Sequence, residues 1–218
     1  MNVIRRIVKI MKKIEIIITL GPTTINKKFF NYINKNKVSL VRLNMSHVKL
    51  SKLEKKIKYI KKHCKVPICI DTEGAQIRTV LTGAKLKKIK EGDSLSINKK
   101  SKKLNFYPEE VFNLLRNKDI LDVGFEGLQL KVTKKNNKLV FLKCTNAGTI
   151  ENNKGVHLKN RRINLNYVTK KDLKAIKIAK KYNIKNFALS FTNSNSDLVK
   201  FCKLLPKEKK YFKIEKLK

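Results

Sequence analysis

Acidic residues are scarce: Asp and Glu number 16 against 53 Lys and Arg, a formal net charge of +37. Tryptophan is absent, and there are three histidines and four cysteines: Cys64, Cys69, Cys144 and Cys202. No C-x-x-C occurs, so zinc-type ligand spacing is missing, and free thiols in a reducing compartment are the simplest account. No apolar run approaches the length of a membrane span. At the N-terminus, Val3-Ile4-Arg5-Arg6-Ile7-Val8-Lys9-Ile10 interrupts its apolar residues with base, which leaves no core for a secretory leader. The expectation is a cytoplasmic protein with no membrane partner. The periodic pattern settles only after Met11, which makes that residue a candidate start.

The charge invites a polyanion partner such as nucleic acid. Its distribution points elsewhere. Lysine is spread along the whole chain beside abundant asparagine, and arginine is scarce, whereas a dedicated nucleic-acid binder clusters its charge and uses arginine for bidentate contacts. The excess therefore reads as compositional, with non-specific polyanion binding as a by-product. At 218 residues the chain has room for one domain, or one domain with a smaller insertion.

Periodicity divides the chain in three. The run Ile14–Leu20 is β-branched and ends in Gly21-Pro22, a strand with its turn. Thr23-Thr24 is placed to cap a helix through Ile33. Strands are expected over Val38–Leu43 and Val66–Asp71, flanking a helix over Leu50–His63 with Leu53, Ile57 and Ile60 on one face. From about Val80 to Lys159 short alternating runs take over, among them 94–97, 128–132 and 139–142, separated by Glu91-Gly92-Asp93 and Lys135-Asn136-Asn137. This is the pattern of a small antiparallel β domain. A helix from the Thr169 cap to Tyr182, a strand over Asn186–Phe191, a helix over Ser196–Leu205 and a strand over Tyr211–Glu215 then resume the α/β rhythm. The fold class expected is α/β: a partial (β/α) TIM-type barrel over 11–79 and 160–218, with an all-β lid inserted over 80–159.

In a parallel α/β layout the C-terminal ends of the strands share one face, and sites form there. Those ends carry Arg42, Asn44 and Ser46; Asp71 and Thr72; Ser190 and Thr192; and Lys213 and Glu215. Hard oxygen donors beside two cations suit phosphoryl chemistry. Singly, each has a bland reading: Asp71 as a strand-end turn residue, Asn44 and Ser46 as turn formers, Lys213 and Glu215 as a solvated pair. Their ordered appearance at successive strand ends favours a site. Gly92-Asp93-Ser94-Leu95 spells a lipase nucleophile motif, but no histidine follows His157 to serve as a late base, and it reads as a turn entering a strand.

The order TLGPTT, RLNMSH, IDTEGAQIRT, NKGVHL, TKKD, ALSF, FKIE resembles pyruvate kinases from the first barrel strand to the fifth, over Met11 to Glu215. The resemblance implies phosphoryl transfer between phosphoenolpyruvate and ADP, giving pyruvate and ATP. It implies that Arg42 and Lys213 are catalytic and, with Ser190, bind the phosphoenolpyruvate. Asn44, Met45, Ser46 and His47, with Arg78 and Lys154, would contact the nucleotide. Asn44, Ser46, Asp71 and Thr72 would hold potassium, and Glu215 would ligate magnesium or manganese.

Departures accompany the match. Ala75 stands at a family proline, and Gln76 stands where the family has Glu or Lys, a position linked to potassium dependence. Val123 and Asn193 replace an aspartate and an arginine. The family's last three barrel strands, with a second metal aspartate, have no counterpart after Glu215. The expectation is a chain that works as a homo-oligomer or with a separate C-terminal half. The alternatives are a degenerate relative that binds a phosphorylated ligand or nucleotide without turnover, and a basic RNA-associated protein on a borrowed scaffold.

Overall fold

The computed structural model describes residues 14–81, 86–98, 104–124 and 126–215. The segment 3–10 and the candidate start Met11 lie outside them. The chain opens with β1 (Ile17–Thr19), α1 (Lys27–Lys35), β2 (Leu40–Asn44), α2 (Leu50–His63) and β3 (Ile68–Asp71). Strands β4 (Ile77–Leu81), β5 (Leu86–Ile89), β6 (Ser94–Asn98) and β7 (Leu104–Tyr107), the short helix α3 (Val111–Leu114), and strands β8 (Ile120–Val123), β9 (Leu128–Lys135), β10 (Leu139–Asn146), β11 (Gly148–Glu151) and β12 (Gly155–Leu158) follow. It closes with α4 (Lys170–Lys181), β13 (Asn186–Leu189), α5 (Asn195–Leu204) and β14 (Lys209–Phe212).

Two compact units result. Among the described residues, the first holds those up to Glu73 together with Lys170–Ser190 and Ser194–Ile214; the second holds those within Gly74–Thr169, with Phe191–Asn193 and Glu215. The second is wider than the 80–159 range expected, because Ile77 and Arg78 of β4 already pair with β12, and Arg78 to Leu81 pair with β7.

The first unit is a five-stranded sheet in the order β1-β2-β3-β13-β14, with every neighbour parallel. Parallel neighbours need a crossover connection. Helix α1 supplies it between β1 and β2, α2 between β2 and β3, and α5 between β13 and β14. The runs of β2, β3 and β13 are largely buried, as are the helix residues Phe30, Ile33, Leu53, Ile57, Ile60 and Phe201. Each such side chain contributes about 2 kcal/mol by burial. This is the partial (β/α) barrel expected.

Two boundaries differ from the sequence reading. Helix α1 starts at Lys27, and its cap is Asn26, whose Oδ1 accepts the Phe29 N–H at 2.9 Å. Thr24 instead ties back onto Gly21, accepting its N–H at 2.8 Å. The last strand covers Lys209–Phe212 rather than Tyr211–Glu215, because pairing with β13 sets Asn186 opposite Lys209 and Leu189 opposite Phe212.

The second unit is a seven-stranded sheet in the order β6-β10-β9-β8-β12-β4-β7, with a two-stranded β11-β5 ladder; all pairs are antiparallel. Its core holds Ile77, Phe106, Phe112, Leu121, Leu130 and Val140. The inserted domain is thus β, apart from the one-turn α3. Gly92 and Ser94 enter β6 through a turn, as read for the lipase-like motif.

Candidate active site

The C-terminal ends of the parallel strands meet around one carboxylate. Asp71 ends β3 and is fully buried. Its Oδ2 lies 3.1 Å from Arg42 Nε and 3.2 Å from Lys213 Nζ. Its Oδ1 accepts the Ser190 hydroxyl at 3.0 Å. Four strands therefore aim at it: β2 through Arg42, β3 itself, the residue after β13, and the residue after β14. Arg42 and Lys213 each keep 27% of their side chain exposed, while their charged groups lie against a buried carboxylate.

Local backbone geometry sets these positions. Register places Asn44 opposite Asp71, and Met45 N–H donates to the Asp71 carbonyl at 2.9 Å. Asn44 Oδ1 accepts Ser46 N–H at 2.9 Å, an Asx turn of the kind Asn favours. Thr72 N–H donates to Ala188 O, and Lys213 N–H to Leu189 O, both at 3.0 Å. Thr72 Oγ1 accepts Ser190 N–H at 3.1 Å. Asn44, Ser46, Asp71, Thr72, Ser190 and Lys213 thus share one end of the sheet. The Met45 side chain is buried, while His47 is exposed.

Burial pushes the Asp71 carboxyl above its ordinary range; Lys213, Arg42 and the Ser190 hydroxyl oppose that shift without cancelling it. The Arg42 Nε contact is coulombic rather than an aligned hydrogen bond, which limits how far it lowers the carboxyl. The neighbouring Cys69 thiol is pushed up to about 12, by burial first and then by the Asp71 charge. It is a packed side chain, not a nucleophile.

One cluster escaped the sequence reading. Lys171 Nζ donates to Glu73 Oε1 at 2.7 Å and to Met45 O at 2.5 Å. Glu73 N–H donates to Asp172 Oδ1 at 2.8 Å, and Asp172 is fully buried. The matching segments TKKD and DTEG were legible, but not that they meet.

In the second unit, Arg78 Nη1 donates to Asn153 O at 3.1 Å, and Lys154 Nζ lies 3.2 Å from Glu151 Oε2. A cavity of about 330 Å³ is lined by Ala75, Gln76, His157, Arg161, Arg162 and Glu215, among others. Gln76 is buried, and its Oε1 has no hydrogen-bond partner. Gly155 leaves it room, since a Cβ there would stand 2.6 Å from Gln76 Nε2. Arg161 grips the buried Asp119 with Nε–Oδ1 and Nη2–Oδ2 contacts of 2.7 Å. Glu215 Oε2 accepts the N–H of Phe191 at 2.9 Å, and Phe191 has φ 52°, a left-handed conformation uncommon for a bulky residue. Among the described residues, no group of three or more His, Cys, Asp and Glu is assembled as a metal cage. No helix among them is long and apolar enough to cross a membrane.

A five-stranded parallel α/β sheet, interrupted by a β domain and carrying two strand-end cations on a buried aspartate, defines a protein of the (β/α)-barrel class with its polar residues gathered at the strand ends. Comparison with known proteins gives the family. The family model described as pyruvate kinase, barrel domain, matches residues 11–217, and the chain belongs to that family. It is similar to the pyruvate kinases of Staphylococcus epidermidis and Staphylococcus aureus, each 28% identical over 211 residues, covering 91% of this chain and 36% of the relative. The chain therefore spans about a third of the length of the curated relatives it matches.

Proposed function

We propose that the chain carries part of a phosphotransferase site of pyruvate kinase type, in which a phosphoryl group passes between phosphoenolpyruvate and ADP. The observation that carries this reading is the pair Arg42 and Lys213, both held on the buried Asp71 with partly exposed side chains. Phosphoryl transfer through a loose transition state needs positioning and charge neutralisation more than covalent help. In the proposed reaction the P–O bond to the enol oxygen breaks, a new P–O bond forms to the terminal phosphate oxygen of ADP, and the enolate takes up a proton to give pyruvate. Lys213 is a compact charge suited to the group in transit. Arg42, with its planar fork, suits the phosphate of phosphoenolpyruvate, and Ser190 completes the substrate side. Asn44, Met45, Ser46, His47, Arg78 and Lys154 are assigned to the nucleotide on the family resemblance.

The metals belong to the same proposal. An oxygen-only donor set of Asn44, Ser46, Asp71 and Thr72 suits potassium. Glu215 would hold magnesium or manganese, which stabilises charge on phosphate oxygens when bound. One Glu215 oxygen already accepts the Phe191 N–H, and that favours a second reading: a relative that binds a phosphorylated ligand or nucleotide without turnover.

Strands β1 and β14 form the two edges of the parallel sheet, and Ile14, Ile17, Phe212 and Ile214 are exposed there. Edges of that kind invite further strands, so the proposal extends to a second copy or a separate C-terminal half as partner. Sedimentation at physiological salt tests the second copy, and a monomer across a wide concentration range contradicts that arm. A coupled assay for ATP formation from phosphoenolpyruvate and ADP, with magnesium and potassium, tests turnover. Calorimetry with each substrate separates the binder from the enzyme, and absence of both signals overturns the reading.

A further inference from the structure

We infer that Lys171 and Asp172, in the first turn of α4, are positioning residues that fix the two strand-end loops bearing Asn44 and Thr72. Lys171 Nζ joins three pieces of chain with one ammonium. It donates to the Met45 carbonyl, one residue past Asn44, and to the Glu73 carboxylate, one residue past Thr72. Asp172 holds the second loop again, by accepting the Glu73 N–H. Both acids are buried, and the Lys171 side chain is 24% exposed. An ammonium has three donors, and two of them here lie on different loops. The contact is therefore a strap between loops rather than a pair within one. In a surrounding of low dielectric such a strap is strong while intact, and removing one partner leaves a buried charge unmatched.

The strap acts where the site needs precision. Asn44, Asp71 and Thr72 take their orientation from the loop backbones, and a displacement of about 1 Å in a positioning element costs on the order of 10²-fold in rate. The strap's role in a phosphoryl site rests on the phosphotransferase reading above; the strap itself does not.

Amide hydrogen exchange on the full chain tests it. Val41, whose N–H bonds to Pro67 O, serves as the reference because it lies at the start of β2, away from the strap. In Lys171→Met, exchange at Met45 and Glu73 is expected to quicken about tenfold or more, while Val41 changes by less than about twofold. Lys171→Arg should restore much of the protection. If Lys171→Met does not fold, the double variant Lys171→Met/Glu73→Gln removes the stranded charge and takes its place. Unchanged exchange at Met45 and Glu73, or equal quickening at Val41, overturns the inference. A second arm titrates phosphoenolpyruvate with magnesium and potassium present. Affinity should fall about tenfold in Lys171→Met and recover in Lys171→Arg, whereas equal affinity in wild type and Lys171→Met overturns the positioning role. A wild-type chain that gives no phosphoenolpyruvate signal counts against the phosphotransferase reading, and exchange alone then decides the strap.

Discussion

Lys213 Nζ stands 3.2 Å from Asp71 Oδ2, although β3 and β14 are not neighbours in the sheet; β13 lies between them. The lysine reaches past the end of β13, where Ser190 binds the other oxygen of the same carboxylate. A fully buried acid thus orients a lysine whose side chain is partly exposed. Lysine is a flexible four-carbon stem with a point charge, and such an anchor converts it into a fixed one.

Replacing Lys213 by Met should lower phosphoenolpyruvate-dependent ATP formation by about 10² to 10³-fold, the usual cost of losing one electrostatic contact at a reacting group. Lys213→Arg should recover part of it. The coupled assay at saturating ADP is the measurement, and a fall smaller than about threefold would remove Lys213 from the chemistry.

The Asp71 carboxyl gives a pH signature of definite sign. Burial raises its folded value above the ordinary carboxylate range. The native state then holds the proton more tightly than the unfolded chain, so the contribution of this group to stability falls as pH rises from about 4 through the raised value. Asp71→Asn lacks this titration. Urea unfolding of both proteins between pH 4 and pH 7 should therefore show the stability difference moving in favour of the Asn variant as pH increases. Movement the other way would mean that Arg42 and Lys213 outweigh burial.

How much of this was legible in the sequence follows from how local each signal is. The five parallel strands were visible because β-branched runs ended in turn chemistry at each strand end. The gathering of Asn44, Asp71, Ser190 and Lys213 at one end of the sheet was visible because those ends share a face. The register of β14 was not visible: Lys209 and Lys210 look like loop residues, and only the pairing with Asn186 and Phe187 makes them strand. The α1 start was misplaced for a similar reason, since Thr24 and Asn26 are both capping residues and the contact of Thr24 with Gly21 decides between them. Lys171 with Glu73 and Arg161 with Asp119 are long-range pairs. In a chain with 53 basic residues, nothing local marks which few of them meet a buried acid.

Gly155 and Gln76 form a steric couple in the second unit. A Cβ on residue 155 would sit 2.6 Å from Gln76 Nε2 and 3.3 Å from its Cδ, so the buried Gln76 side chain would have to shift within the cavity it lines. Gly155→Ala should destabilise by about 1–3 kcal/mol, as overpacking does. Gln76→Ala in the same chain should remove most of that cost. A double-mutant cycle by urea unfolding reads the coupling directly, and additive effects would show that the two residues do not compete for the same space.

Magnesium affinity tests how complete the metal site is. Glu215 is the only carboxylate assigned to magnesium, and one of its oxygens already accepts the Phe191 N–H. No acidic cluster that would make a cage occurs among the described residues. Magnesium sheds water reluctantly and is usually bound through one or two carboxylates together with substrate phosphates. The chain alone should therefore give no saturable heat with micromolar magnesium, and binding should appear only when phosphoenolpyruvate or ADP supplies further oxygens. Glu215→Gln should then remove that ligand-dependent uptake, while also weakening the hold on the left-handed Phe191 backbone, so circular dichroism is recorded alongside to separate the two effects. Tight magnesium binding without substrate, lost in Glu215→Gln with the spectrum unchanged, would mean that Glu215 acts together with a second donor group outside those assigned.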